Sequence, residues 1–269
     1  MSISTPGTMI AASWDAAPFA ALAETASAIH DALVKAVAPA APERVLDVAT
    51  GTGPVALRAA RRGCEVVGLD ISPRMVAAAR AAAAETDVRV AFVLGEAEAL
   101  PFERGSFDCV LSAQGVMFSR DPRQAAAELA RVCRPQGRLG LSVLADSPLN
   151  REFLGLWSHA VTNRRPSRLE AADWGSEQIV RTLLGRWFSL EFVHGRAPLV
   201  AADAAELWEL HLTTCGPLKH LHDRLPHRRR ITLRAAYVEF FDRFQTEEGV
   251  SLPRDYLLIL GRRANVPAT

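Results

Sequence analysis

The segment Val45 to Ala56, VLDVATGTGPVA, runs from an apolar stretch through one acid into two glycines separated by a threonine. Glycines between a strand and a helix let backbone approach a ligand that a Cβ would hold away. With the strand before it and the helix after it, this turn constrains the chain to βαβ units. Such folds bind their ligands at the carboxyl ends of parallel strands.

The following residues repeat the pattern. RVLDVAT (44–50), a helix over 54–62, CEVVGLD (64–70) and a helix over 73–85 lead to VRVAFVLG (88–95). FDCVLSA (107–113), a helix over 123–133 and GRLGLSVLA (137–145) complete the series. The strand segments are nearly continuous in Val, Leu and Ile, as when helices cover both faces of a sheet. Ile29, Leu33 and Val37 mark a leading helix over 25–37, ended by the linker APAAPER. Beyond Ser147, helices over 151–163 and 178–184 precede a strand, FSLEFVHG. Two or three further helices lie between Asp203 and Gln245, and DYLLILGRR closes the series as a last strand at the edge of the same sheet. The predicted fold is α/β, a doubly wound, mostly parallel sheet of seven strands, the last antiparallel, with a helical cap over the carboxyl ends. Three regions follow: an N-terminal helical segment (1–42), a ligand-binding core (43–146), and a cap carrying the last two strands (147–269).

Composition bounds the partners. The 269 residues are 49% hydrophobic and 23% charged, enough for a sizeable core. A formal net charge of +1 lacks the basic excess of a chain that binds nucleic acid through phosphates. No Lys or Arg precedes Lys35, so a signal or transit peptide is not expected, and no apolar run reaches the length of a membrane span. The expectation is a cytoplasmic protein, monomer or homodimer, without membrane insertion. Cys64, Cys109, Cys133 and Cys215 stand singly in apolar stretches, which predicts buried thiols and no metal site.

Gly51 to Ala56 fits G-x-G-x-x-G/A. Asp70, nineteen residues beyond Gly51, ends the next strand, where a carboxylate accepts hydrogen bonds from both ribose hydroxyls. An adenosine-bearing ligand is implied. Asp47 helps to choose among such ligands: two like charges about 6 Å apart at an effective dielectric of about 20 repel by roughly 3 kcal/mol, which disfavours a pyrophosphate over this turn. The ammonium and sulfonium of S-adenosylmethionine would be attracted instead. Asp47 also suits a local capping role toward backbone N–H groups.

VLDVATGTG, VVGLDISPRMVAAAR, GEAEALPFERGSFDCVLSAQGVMF and AAAELARVCRPQGRLGLS, in this order and spacing, resemble the class I S-adenosylmethionine-dependent methyltransferases. The likeness covers about residues 44–142 and is nearest to the small-molecule branch that includes the ubiquinone and menaquinone biosynthesis C-methyltransferases. It implies S-adenosylmethionine as cofactor and S-adenosylhomocysteine as product. It further implies that Ala49, Thr50, Gly51, Thr52 and Gly53 cradle the methionine part beside Asp47, and that Asp70 takes the ribose. Ile71 and Met75 would lie on the adenine side, with Glu96, Ala97 and Glu98 at the adenine edge and the backbone of Ala113 and Gln114 near the ammonium. Two residues depart from the family pattern: Glu96 stands where Asp is common and Gln136 where Gly is common.

The resemblance supplies no catalytic residue, because methyl transfer from a sulfonium depends chiefly on alignment. Position nominates Gln114, Met117 and Phe118, which leave the fourth strand at its carboxyl end. The loop lacks the D-P-P-Y type sequence of enzymes that methylate nucleic-acid bases, so a small-molecule substrate is expected. PHRRR (226–230) reads as a solvated helix start. Trp14 and Phe19 either close over the cofactor or anchor the N-terminus to the sheet. In AAELWELHLTTCGP, Ala204, Trp208, His211 and Cys215 share one helix face. His211 there is either a core residue or the group that orients or deprotonates the acceptor. An S-adenosylmethionine-binding protein without methyl transfer, such as a cyclase, and a nicotinamide-dependent oxidoreductase are the alternatives.

Overall fold

The computed structural model describes residues 11–161 and 171–265. After a helical turn at residues 11–14, the helices α1 (Ala20–Glu24) and α2 (Ser27–Val37) precede β1 (Arg44–Val48), α3 (Pro54–Ala60) and β2 (Glu65–Asp70). The core continues through α4 (Pro73–Ala84), β3 (Val90–Leu94), β4 (Phe107–Ala113), α5 (Pro122–Val132) and β5 (Cys133–Leu144). Each core helix begins with proline, which is preset for a helical φ and gives up an N–H that has no partner in a first turn. Ser72 and Asp121 cap α4 and α5 by accepting hydrogen bonds from first-turn N–H groups.

Adjacent residues of β1 enter opposite cores. Leu46 packs with Val110, Leu129 and Leu141 on one face, and Val45 with Leu33, Val55 and Ala79 on the other. Both faces are dry, which explains the unbroken apolar strands. After β5 come α6 (Pro148–Val161), α7 (Glu177–Leu184), β6 (Phe188–Arg196), β7 (Leu199–Ala201), α8 (Ala204–Thr214), α9 (Gly216–Arg224) and α10 (His227–Asp242). Three strands follow, β8 (Gln245–Thr246), β9 (Gly249–Leu252) and β10 (Asp255–Arg263).

The main sheet has the order β3-β2-β1-β4-β5-β10-β6. All neighbours are parallel except β10, which runs antiparallel to both β5 and β6. One expectation is corrected: the last strand is not an edge. It inserts between β5 and β6, pairing Leu258 with Ser142 on one side and Val193 on the other, and β6 takes the edge. Residues Leu257, Leu258 and Ile259 are buried accordingly, whereas the edge strand β6 is largely exposed after Phe188.

Between Asp203 and Gln245 the cap holds three helices, α8, α9 and α10, at the upper end of the expected number, and the cap also carries a small sheet, β7-β9-β8, that periodicity did not predict. With two to four residues per strand, β7, β8 and β9 are too short to display a period of two. Trp208, Tyr237, Phe240 and Phe241 form the cap's own core against this sheet. Gln136, the departure from glycine, adopts φ +61, the left-handed region in which glycine carries no steric penalty.

Candidate active site

The order of the strands reverses between β1 and β4, and the turn after β1 opens into the crevice that this reversal creates. Gly51 has φ +57, and a Cβ built on it meets nothing within 4 Å, so the turn leaves empty space where a side chain would stand. Asp70 fixes the turn from the next strand. Its Oδ2 accepts the Gly51 N–H at 2.8 Å and its Oδ1 the Ser72 N–H at 2.9 Å. Burial raises the Asp70 carboxyl above its ordinary value, against the lowering effect of those N–H bonds. Gly53 is set back from the crevice: it turns the chain at φ +88 into α3, beside the Phe92 ring.

Asp47 is buried beneath the turn, 1% exposed. Its Oδ2 accepts from the Thr50 hydroxyl at 2.6 Å and the Ala56 N–H at 3.1 Å, so one oxygen does cap the local backbone. Oδ1 has no protein partner among the described residues. Burial pushes the carboxyl up to about 7, although the two hydrogen bonds work in the opposite direction.

A cleft of about 1030 Å³, open to solvent, brings the nominated residues together. Asp47, Ala49, Thr50, Gly51 and Thr52 line it from the turn, and Asp70, Ile71 and Met75 from the end of β2 and the start of α4. Glu96, Ala97 and Glu98 contribute from the loop after β3, and Ala113 and Gln114 from the end of β4; Gly53 is not in the lining. The loop after β3 is held in place by groups that sequence reasoning passed over. Glu128 accepts the Leu100 N–H at 2.8 Å, and Arg131 donates to the Leu100 and Phe102 carbonyls at 2.8 and 2.6 Å. Glu98 in turn accepts the Arg120 N–H at 2.7 Å, tying this loop to the one after β4.

A second cavity of about 890 Å³, also open to solvent, lies between the cleft and the cap. The two share Trp14, Phe19, Ala23, His30, Ala113, Gln114 and Phe118. Met117 lines only the second. Trp14 stands edge-on to Phe19 at 5.8 Å and to Phe118 at 5.4 Å between ring centres. The segment is tethered from the far side: the Ser72 hydroxyl and the Arg74 N–H both donate to Asp15.

His211 lines the second cavity and is 3% exposed. Its ring lies 5.6 Å from Tyr237 and 6.1 Å from Phe241, so it belongs to the cap's aromatic core and to the cavity wall at once. Nδ1 donates to the Leu207 carbonyl at 2.8 Å, which leaves Nε2 as the acceptor nitrogen. Burial lowers its pKa to about 4, so the ring is neutral near pH 7. His30 and Arg254 also line this cavity and were not predicted. His30 was within reach of the periodicity, since Ala26, His30, Leu33 and Val37 fall on one face of the leading helix. Arg254 carried no local signal, being a single charge in the connection between two strands. All four cysteines are buried and free. No helix among the described residues is long and apolar enough to cross a membrane.

A family model described as a methyltransferase domain matches residues 46–141. An uncharacterised protein of Mycobacterium tuberculosis is 37% identical over 179 residues, 65% of this chain and 64% of that protein. The chain thus spans just under two thirds of that relative's length. The demethylmenaquinone methyltransferase of Thermus thermophilus is 48% identical over 101 residues, 37% of this chain and 46% of that one. Among solved structures, the YcgJ protein of Bacillus subtilis superposes with a TM-score of 0.61 at 23% identity, covering 88% of this chain and 98% of that one. The [4+2]-cyclase SpnF superposes at 0.55 with 21% identity, covering 89% and 81%. At these identities the two structures establish the fold alone.

Proposed function

We propose, starting from a chain whose residues 46–141 match the family model of a methyltransferase domain, that the protein binds S-adenosylmethionine in the cleft and transfers its methyl group to a small organic molecule held in the cap cavity. The observation that carries this reading is the wall common to the two cavities, formed by Ala113, Gln114, Phe118 and the Trp14 segment. A donor in one cavity and an acceptor in the other meet along that wall, which Ala23 and His30 extend.

The chain's residues fit the cofactor. The empty volume beside Gly51 admits a ligand against bare backbone, and the unpartnered Oδ1 of Asp47 suits a cation rather than a pyrophosphate. Asp70 would hold the ribose hydroxyls with the lone pairs its N–H bonds leave open. Ile71 and Met75 would pack on the adenine, Glu96 to Glu98 would meet its edge, and Ala49 to Thr52 would follow the methionine part. S-adenosylmethionine supplies a methyl group on a sulfonium whose thioether leaves without further activation. The protein's contribution is then alignment and exclusion of water, and alignment alone is worth effective molarities of roughly 10⁵ M or more. The Trp14–Phe118 contact closes the junction, Gln114 orients the acceptor, and His211 offers Nε2 as a hydrogen-bond acceptor for a hydroxyl or N–H of the substrate.

Calorimetry tests the cofactor: S-adenosylmethionine and S-adenosylhomocysteine are expected to bind at about micromolar strength, and NAD at least roughly tenfold more weakly. Equal or tighter binding of NAD overturns the assignment. Formation of S-adenosylhomocysteine on incubation with candidate acceptors separates a transferase from a protein that binds the same cofactor without spending its methyl group.

A further inference from the structure

Among the described residues that line the cap cavity, Arg254 is the one formally charged side chain, and no Asp or Glu accompanies it. The residue is 8% exposed. Its neighbour Asp255 is engaged elsewhere, with Arg196 at 2.6 Å. The guanidinium is held by one residue: Nη2 donates to the Thr25 carbonyl and Nη1 to the Thr25 hydroxyl at 3.4 Å, while Nε finds no partner among the described residues. Its own carbonyl accepts the Ala197 N–H at 3.0 Å, which fixes the chain at that point. His30, also in the lining, leaves Nδ1 without a partner.

A cation taken out of water without a counter-charge is costly, and two neutral oxygens recover only part of its hydration. Those two bonds to Thr25 do not require a guanidinium, since a neutral amide could make them. The planar fork with donors left over is what a carboxylate completes. Burial lowers the group to about 10, so it remains a cation near neutral pH.

We infer that the cap cavity selects an acidic acceptor, a small molecule whose carboxylate is held by Arg254 while its apolar body lies among Phe153, Leu154, Leu199 and Leu252. This rests on the methyl-transfer reading of the site. The carboxylate is the anchor, and the atom that receives the methyl group lies toward the shared wall at Gln114. His30 supplies a second polar contact for the same ligand.

The test is a panel of matched acids and primary amides, from benzoate and benzamide through 2-naphthoate and 2-naphthamide to decanoate and decanamide. Binding is measured by titration calorimetry on the full chain with and without saturating S-adenosylhomocysteine. Acids are expected to bind more tightly than their amides by roughly tenfold or more, as a hydrogen-bonded charge pair implies. In Arg254→Gln that preference disappears while S-adenosylhomocysteine still binds within about threefold, and Arg254→Lys restores part of it. A merely structural Arg254 would weaken acid and amide alike. A panel in which no acid outbinds its amide, including one in which nothing binds, overturns the inference, as does a preference that survives in Arg254→Gln. Should Arg254→Gln fail to fold, the acid-to-amide ratio in the natural protein and in Arg254→Lys decides. Failure of S-adenosylhomocysteine to bind the natural protein sinks the cofactor reading instead, and the acid-to-amide comparison without it still stands.

Discussion

Asp47 carries two opposed demands. Its folded value of about 7 lies above the ordinary 3.8, so between these values the folded protein holds a proton that the unfolded chain has released. The empty protein therefore loses stability as pH rises from about 4 to about 7, and the full cost is present above that. A bound cation favours the carboxylate, so cofactor binding should expel a proton near pH 6, and affinity should fall by up to about tenfold per unit below pH 7. Asp47→Asn is expected to melt a few degrees, roughly 2–6 °C, above the natural protein at pH 8. The same variant should bind S-adenosylmethionine about a hundredfold more weakly. Scanning calorimetry and titration of one preparation check both halves, and unchanged affinity would place the cation away from Asp47. His211 has the opposite sign. Its value of about 4 lies below the ordinary 6.5, so stability that is present above pH 6.5 is lost as pH falls toward 4. His211→Ala should lower unfolding free energy by about 2 kcal/mol near pH 7, through lost packing with Tyr237 and Phe241, and should make denaturant midpoints less sensitive to acid. If the variant keeps full stability, the ring is not part of the cap's core. If turnover of the folded variant also matches the natural protein, the ring does not orient the acceptor.

Among the elements, the N-terminal segment ahead of α1 is the one most closely bound to the proposed chemistry. It is clipped between core and cap: Asp15 is held at the start of α4, and a Cβ on Gly216 would sit 2.4 Å from the Ser13 carbonyl, so α9 can begin there only with glycine. Trp14 then spans the junction of both cavities and touches the loop after β4 through Phe118. Trp14→Ala is expected to leave the sheet intact and to speed the departure of S-adenosylhomocysteine by up to about tenfold, since half-buried aromatic contacts worth roughly 0.5–1.5 kcal/mol each are removed from the junction. Surface plasmon resonance on immobilised protein reads the dissociation rate directly. A rate unchanged by the substitution assigns the segment to anchoring alone.

At the scale of the whole molecule, what could be read from the sequence tracks how local each feature is. The glycine turn, the acid at the end of β2, the strand FDCVLSA and the closing strand DYLLILGRR are legible because a few neighbouring residues specify them: apolar runs make buried strands, and a β1-turn-α3 junction needs glycine where backbone faces a ligand. Helix starts are legible for the same reason, since Ser72 and Asp121 act within three residues of their own position. The placement of β10 between β5 and β6 was not legible, because an antiparallel strand with two buried faces reads the same at an edge or in the interior until its partners are known. The three short strands of the cap pair as strands with one another, not with the main sheet, and leave no periodic trace. Of the candidate site, the cofactor half lies mostly within residues 47–114 and was assembled by one chain direction and one sheet. The half proposed for the acceptor draws on residues from Trp14 to Arg254. Arg254 meets Thr25 across 229 positions of sequence, and only the folded cap turns that lone cation away from water and toward a cavity without a counter-charge. Local pattern thus determined the fold class and the turn, whereas burial, a property of packing distant segments together, decided which polar groups are left to face a substrate.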